Sequence, residues 1–176
     1  MKSIFYKMAV VLLIGGLLSF TSSPLWKISK GYTISFSGKG VDGIFKKMEA
    51  EISFDEKNLA TSKFSLTIDV NSINTGNALQ NKHALGADWF DASKYPSIKF
   101  TTNSIGKSAS GYIAKGKLEV KNKSKEVSIP FTFTSDGTKG KFMTDFTIKR
   151  SDYGVGEPNG DVADEIKIKA EVPVEK

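Results

Sequence analysis

The sequence contains no cysteine and only one histidine among its 176 residues. The lack of cysteine excludes disulfides, thiolate metal sites and a cysteine nucleophile. A single histidine excludes every metal site built from several imidazoles, and a serine-type triad would have to use His83. We therefore expect neither a metal nor a catalytic cofactor.

Long hydrophobic runs are also absent, apart from one near the N-terminus. Residues 8–18 are almost wholly apolar, follow two lysines and precede a stretch of small residues. This three-part pattern is typical of a signal peptide, and the run is shorter than the roughly 20 residues that span a bilayer. We expect residues 1–23 to be a cleaved signal peptide, with an uncleaved interfacial anchor as the alternative. Residues 24–176 would then form one domain, periplasmic or secreted from a bacterium, for which nucleic acid is a poor partner.

The remaining sequence is dominated by apolar and polar residues that alternate with a period of two. Eight segments show this pattern, at residues 32–36, 48–54, 64–70, 98–100, 112–120, 127–133, 142–148 and 166–174. Strands of a buried parallel sheet would instead be apolar throughout. Short connections rich in turn residues, such as 55–58, 122–124 and 135–138, indicate hairpins. The pattern predicts an all-β, eight-stranded antiparallel barrel, with a β-sandwich as the alternative.

One long stretch, residues 71–96, lacks any strand signal. Asn77 followed by Gln80 is typical of a helix start, residues 78–85 can form two turns, and Gly86 can end them. Long loops in compact domains often act as lids or binding loops. We expect this short helical segment to lie across one opening of the barrel.

Four segments in the same order resemble the YceI-like family. The longest runs from His83 to Phe100 and reads HALGADWFDASKYPSIKF. The others are Gly43–Phe45 with Ile52–Asp55, Ser72–Gly76, and Ile148–Gly156. The resemblance extends from about Trp26 to Val174, which is nearly the whole expected mature chain.

The resemblance implies a lipocalin-like barrel with a helical segment near its mouth and an apolar channel. It implies that the channel binds a polyisoprenoid lipid or an isoprenoid quinone, and that the protein can form homodimers. The inward-facing residues expected to line the channel are Tyr32, Ile34, Phe36, Ile52, Phe64, Leu66, Ile68, Phe100, Phe131, Phe133, Phe146 and Ile148. Leu79, Leu85, Trp89 and Phe90 would close one end. From composition alone, the interior could equally be a filled core.

Two polar residues stand out against this apolar interior. Arg150 shares the inward parity of its strand, and a buried guanidinium needs a partner. That partner is either an aspartate or the polar head of the ligand; the candidate aspartates are Asp88, Asp91, Asp152 and Asp164. His83 is either a hydrogen-bonded helix residue, a contact to the ligand head, or the base of a lipid-acting enzyme.

A cluster of lysines between residues 115 and 125 marks one hairpin. The cluster could make transient contact with an anionic membrane surface, or it could simply be a solvated hairpin that discourages edge pairing. The interpretation that joins these features is an exported, non-enzymatic protein that sequesters or carries a long-chain amphiphile. The alternatives are a stress-related interaction protein with a filled barrel, and a lipid hydrolase that uses His83.

Overall fold

The computed structural model describes residues 25–157 and 160–176. The predicted signal peptide lies outside the described residues. The strands are β1 (Leu25–Ile28), β2 (Thr33–Gly38), β3 (Val41–Phe45), β4 (Met48–Ser53), β5 (Lys63–Asp69), β6 (Ile73–Asn74), β7 (Ser97–Ser108), β8 (Gly111–Val120), β9 (Lys123–Ser135), β10 (Lys139–Lys149) and β11 (Glu165–Glu175). One helix, α1, spans Ala78–Leu85, and short 3₁₀ turns span Leu59–Thr61, Val70–Ser72 and Arg150–Tyr153. Within the described ranges, no helix is both long enough and apolar enough to cross a membrane.

The strands form one antiparallel sheet that closes on itself. Going around the ring, the order is β1, β4, β5, β7, β8, β9, β10 and β11, and β11 returns to β1 through the pair Lys27 and Glu175. β2 follows β1 in the sequence and, like β1, pairs with β11. β3 precedes β4 in the sequence and pairs with β2. The predicted eight-stranded barrel is therefore confirmed, and closure of the ring excludes the sandwich.

Alternation along the strands places the apolar rows inside because successive side chains point to opposite faces. Paired inward residues meet across neighbouring strands, as Ile68 meets Ile98 and Phe36 meets Gly43. A Cβ on Gly43 would lie 2.6 Å from the Phe36 ring, so this position must be glycine for the ring to lie flat against the next strand.

One end of the barrel is filled by aromatic rings. The Phe54 ring is 1% exposed and lies within 6 Å of five other rings, between their centroids; these belong to Phe64, Tyr112, Phe131, Phe133 and Phe142. The indole of Trp26 donates a hydrogen bond to the Phe54 carbonyl at 3.0 Å. Most of these pairs are edge-to-face, the arrangement that ring quadrupoles favour. We call this cluster the aromatic plug.

The helical segment lies at the opposite end. The Asn77 side chain accepts hydrogen bonds from the backbone amides of Leu79 and Gln80 at 2.9 and 3.1 Å, so it caps α1 as predicted. Gly86 ends the helix with an extended backbone. Past the helix, the Ala92 amide returns to the Leu85 carbonyl at 3.0 Å and folds the following loop back onto α1.

The turn between β8 and β9 differs from its prediction. A loop was expected at residues 122–124, but the turn consists of Lys121 and Asn122, with φ values of 48° and 60°. Two consecutive residues with positive φ are typical of a type I′ hairpin turn, which usually contains glycine. The hairpin was predicted correctly, whereas its boundary was wrong because no glycine marks the turn.

Candidate ligand-binding site

The barrel is hollow between the aromatic plug and α1. It contains two cavities of about 290 and 150 Å³. Six residues line both cavities, one each from β2, β5, β7, β8, β10 and β11; they are Ile34, Ile68, Ile98, Leu118, Phe146 and Ile168. We call these six the girdle, and it divides one channel into an upper chamber beneath α1 and a lower chamber above the plug.

The lower chamber is lined almost entirely by apolar side chains. They come from eight strands, and its floor is formed by the plug residues Phe64, Phe131 and Phe142. Thr144 is the one hydroxyl residue of the lining, and its hydroxyl donates to the Pro130 carbonyl at 2.6 Å. A chamber of this composition can hold a hydrocarbon but offers a polar group no partner.

The upper chamber becomes polar towards its mouth. Gln80, His83 and Ala84 contribute to the lining from α1, where spacings of three and four residues place them on one helix face. Thr75, which precedes the helix, also lines the chamber. So do Val162 and two residues at the turn between β2 and β3, Gly40 and Val41. The channel as a whole is therefore amphipathic, with hydrogen-bonding groups confined to one end.

Arg150 is buried in the wall of the upper chamber, with only 4% of its surface exposed. Its guanidinium donates four hydrogen bonds to backbone carbonyls, at 2.7 to 3.0 Å; the acceptors are Val155, Glu157, Val162 and Ala163. Four of its five N–H groups are thereby used. The side chain thus holds together the two described parts of the segment between β10 and β11, residues 154–157 and 160–163, which we call the Arg150 loop.

The expected ion pair between Arg150 and an aspartate is absent among the described residues. Asp152 pairs with Lys125 at 2.7 Å, and Asp91 pairs with Lys94 at 3.1 Å. Asp164 accepts hydrogen bonds from the amide and hydroxyl of Ser151 at 2.9 and 2.8 Å. The prediction failed because the loop wraps its carbonyls around the guanidinium, an arrangement without a sequence signature.

Trp89 joins the helical segment to the Arg150 loop. Its ring lies 5.3 Å from the central carbon of the Arg150 guanidinium, within the range of a cation–π contact. Gly156 has φ of +67°, and a Cβ there would lie 2.9 Å from both the Arg150 Nη1 and the Trp89 ring. The Gly156 amide also donates to the Asp88 carbonyl at 2.9 Å. Only glycine allows the loop to approach this closely.

Two titratable groups near the mouth, Asp164 and Tyr153, have pKa values shifted by hydrogen bonds or by burial. The amide and hydroxyl of Ser151 lower the pKa of Asp164, and the charge of Arg150 adds to this effect. Burial raises the pKa of Tyr153, so the phenol beside the upper chamber stays neutral at physiological pH.

Fourteen of the eighteen predicted site residues line the channel. Those in the upper chamber are Phe36, His83, Trp89, Phe90, Ile148 and Arg150, those in the lower chamber are Ile52, Phe64, Leu66, Phe100 and Phe131, and those in both are Ile34, Ile68 and Phe146. Parity along each strand was enough to place the strand residues correctly.

Four predicted residues do not line either chamber. Leu79 is 61% exposed because Gln80, His83 and Ala84 occupy the channel-facing side of α1. The Tyr32 hydroxyl bridges the break between β3 and β4, where it donates to the Lys46 carbonyl and accepts from the Met48 amide, both at 3.0 Å. Phe133 belongs to the aromatic plug, and Leu85 packs with the apolar residues beneath the helical segment.

Several lining residues were missed, although most carried a signal. Ile98, Leu118 and Ile168 lie in alternating rows that the sequence already showed to be inward-facing. The remaining members include Phe45 and Ile73, which flank breaks in the strand pattern, and Val162 in the Arg150 loop. For the loop residue, nothing in the local sequence indicates that it reaches the channel.

Comparison with known proteins gives a consistent result. The model of the YceI-like domain matches residues 26–174. Protein YceI of Escherichia coli is 28% identical over 132 residues, which cover 72% of this chain and 69% of that protein. The crystal structure of Burkholderia cenocepacia BcnA superposes with a TM-score of 0.76 and 34% identity, covering 81% of this chain and 95% of that one.

A more distant structure shares the fold. It is a polyisoprenoid binding domain from Saccharophagus degradans, with a TM-score of 0.61, 15% identity, and coverage of 86% of this chain and 97% of that one. None of these relatives bears the name of an enzyme. The match to the family model extends over nearly all the residues that build the barrel and its mouth, and the chain therefore belongs to the YceI-like domain family.

Proposed function

We propose that this protein binds a polyisoprenoid, or a similar long-chain amphiphile, with the tail in the channel and the head at the mouth. The observation that carries the proposal is the polarity of the channel. The lower chamber and the girdle are apolar except for Thr144, whose hydroxyl already donates to Pro130, and the other hydrogen-bonding side chains gather towards the mouth beneath α1. A hydrocarbon tail with one polar end matches this distribution.

Burial of the tail would supply most of the binding energy. Each 100 Å² of apolar surface removed from water contributes about 2.5 kcal/mol. A tail that buries several hundred Å² needs no specific polar contact to bind tightly, although association costs of several kcal/mol reduce the net value. The girdle then selects for a slender chain, since six side chains narrow the channel between the chambers.

The head would lie between α1 and the Arg150 loop. Gln80 and His83 offer hydrogen bonds from the helix, and Arg150 retains one N–H beyond its four carbonyl partners. A head group with oxygen acceptors, such as a quinone, hydroxyl or phosphate, suits donors of this kind. In this arrangement His83 contacts the ligand and performs no catalysis.

Two further observations support the proposal. The distant structural relative is described as a polyisoprenoid binding domain. The N-terminal sequence has the features of an export signal, which would place the protein in the periplasm or outside the cell, next to the lipids it would carry.

The direct test is to identify what the protein carries. The full chain would be expressed in a bacterium, purified after export and extracted with organic solvent, and the extract analysed by mass spectrometry. We expect a polyisoprenoid lipid close to one molecule per chain. An empty extract, repeated after incubation with bacterial lipids, would contradict the proposal and favour a protein that acts through its surface.

A matched pair of variants tests whether the channel holds the ligand. Phe146→Trp enlarges a girdle residue and should abolish lipid uptake while the fold persists, because the side chain reaches both chambers. Lys169→Trp adds the same ring on the neighbouring strand, where the lysine is exposed and pairs with Asp145. It should bind lipid normally. Equal uptake by both variants would show that the ligand does not pass the girdle.

A further inference from the structure

In one part of the barrel wall, two neighbouring strands are not paired along their full length. β9 and β10 pair through only five residues on each strand, 131–135 with 140–144. Beyond this ladder, residues 123–130 pair only with β8, and residues 145–149 pair only with β11, among the strands that the structure describes. No other two adjacent long strands of the ring separate in this way along comparable lengths within the described residues.

Pro130 explains where the ladder stops. In an antiparallel pair, the N–H and C=O of one residue point to the same neighbouring strand. The Thr144 hydroxyl of β10 donates to the Pro130 carbonyl at 2.6 Å, so the carbonyl faces β10. The N–H that proline lacks would therefore have continued the ladder to β10.

A polar contact limits the gap at its other end. The Lys125 ammonium of β9 pairs with the Asp152 carboxylate, just after β10, at 2.7 Å. The Lys121 ammonium reinforces this end with hydrogen bonds to the Ala87 and Gly154 carbonyls at 2.9 and 3.0 Å. The gap between them, which we call the side window, spans residues 126–129 and 145–149. Four strand residues correspond to a length of roughly 13 Å.

The side window leads into the channel. Ile129 and Phe146 line the lower chamber, and Ile148 lines the upper one. Val127 points inward with the same parity and is partly exposed, although it lines neither chamber. Apolar side chains thus lie along both strand edges where the ladder is missing.

We propose that the side window is the route by which the apolar tail enters the channel sideways from a lipid surface, with the Lys125–Asp152 pair as its latch. The proposal rests on the proposed function. End-first threading would force a long tail through the polar mouth and past the girdle, whereas a slot admits the tail along its length. The latch can open readily because both of its side chains are 40 to 50% exposed and surface ion pairs are weak.

The absence of cysteine allows the window to be closed chemically. Ser128 and Thr147 are exposed and would face each other if the ladder continued. The variant Ser128→Cys with Thr147→Cys would be bridged by a bis-maleimide. The matched control is Thr147→Cys with Lys167→Cys, since these two residues are partners in the intact β10–β11 ladder. Both bridges lie on the outer surface.

The readout is the rate at which each protein takes up radiolabelled decaprenol from phosphatidylcholine vesicles. We expect the bridge across the window to slow uptake at least tenfold, and the control bridge to leave the rate within twofold of the unmodified chain. Uptake at the unmodified rate by the window-bridged protein would refute the window while leaving lipid binding intact. Failure of the unmodified chain itself to take up lipid would refute the proposed function, and the window with it.

Two single variants test the same route without a crosslink. Pro130→Val restores the missing N–H and should extend the β9–β10 ladder, which slows uptake severalfold. Asp152→Asn weakens the latch and should accelerate uptake, with equilibrium occupancy unchanged. Unaltered rates in both folded variants would contradict the proposal, because the two changes act on opposite ends of the window.

Discussion

The role of Arg150 leads to the sharpest prediction about stability. Arg150→Met keeps an unbranched apolar stem but removes the donors of four hydrogen bonds to Val155, Glu157, Val162 and Ala163. A buried carbonyl that loses its donor costs about 1–3 kcal/mol. We take the lower value because Glu157 is exposed and its carbonyl can turn to water. The four losses together then destabilise the protein by about 4 kcal/mol.

This loss is large enough to measure in two ways. For a chain of this length, 1 kcal/mol corresponds to about 2–4 °C, so the melting temperature should fall by about 8–16 °C. Urea unfolding followed by circular dichroism should give the same free energy. The control is Lys149→Met, which removes an exposed neighbouring charge and should change stability by less than about 0.5 kcal/mol. A loss below about 1 kcal/mol in Arg150→Met would refute the argument that the guanidinium holds the loop.

Two other predictions concern the plug and the loop. Phe54→Ala should lower the free energy of unfolding, measured in urea, by about 3–5 kcal/mol, because the ring is 1% exposed and lies against five other rings. A loss below about 2 kcal/mol would mean that the neighbouring rings move in to fill the cavity, and would contradict a rigid plug. Hydrogen bonds from Ser151 lower the pKa of Asp164 in the folded protein, so the stability that this carboxylate contributes is present above its unfolded pKa of about 3.9 and is lost as pH falls through the folded pKa. Asp164→Asn should therefore flatten the acid side of a melting temperature–pH curve, and a curve parallel to that of the unaltered chain would contradict this assignment.

Local patterns in the sequence determined the strands and the helix. Alternation in segments such as residues 64–70 and 142–148 specifies an inward row regardless of what the row encloses, because side-chain direction has a period of two. Asn77 specifies the start of α1 through its own side chain, which caps amides two and three residues away. These features depend on contacts between residues that are close in the sequence.

Other features depend on contacts between distant residues and could not be predicted. Leu79 was expected to close the channel, yet its helix turns Gln80 and His83 inward instead, and the rotation of α1 is set by the barrel beneath it. Arg150 was expected to meet either a carboxylate or the ligand head, and its partners in the described structure are carbonyls presented by the path of a loop. Pro130 was visible in the sequence, but its consequence depended on which neighbour its missing N–H would have met.

The sequence by itself therefore determined eight of the eleven strands, their inward faces, the helical segment and the apolar character of the interior, whereas the short strands β1, β3 and β6 were not predicted. The tertiary structure decided that the interior is hollow on both sides of the girdle and filled by aromatic rings only at the plug. It also decided that the ladder between β9 and β10 stops at Phe131 and Thr144. The reason is that volume and closure are properties of strands arranged around a common axis, and no single strand carries the information about how much space the ring leaves at its centre.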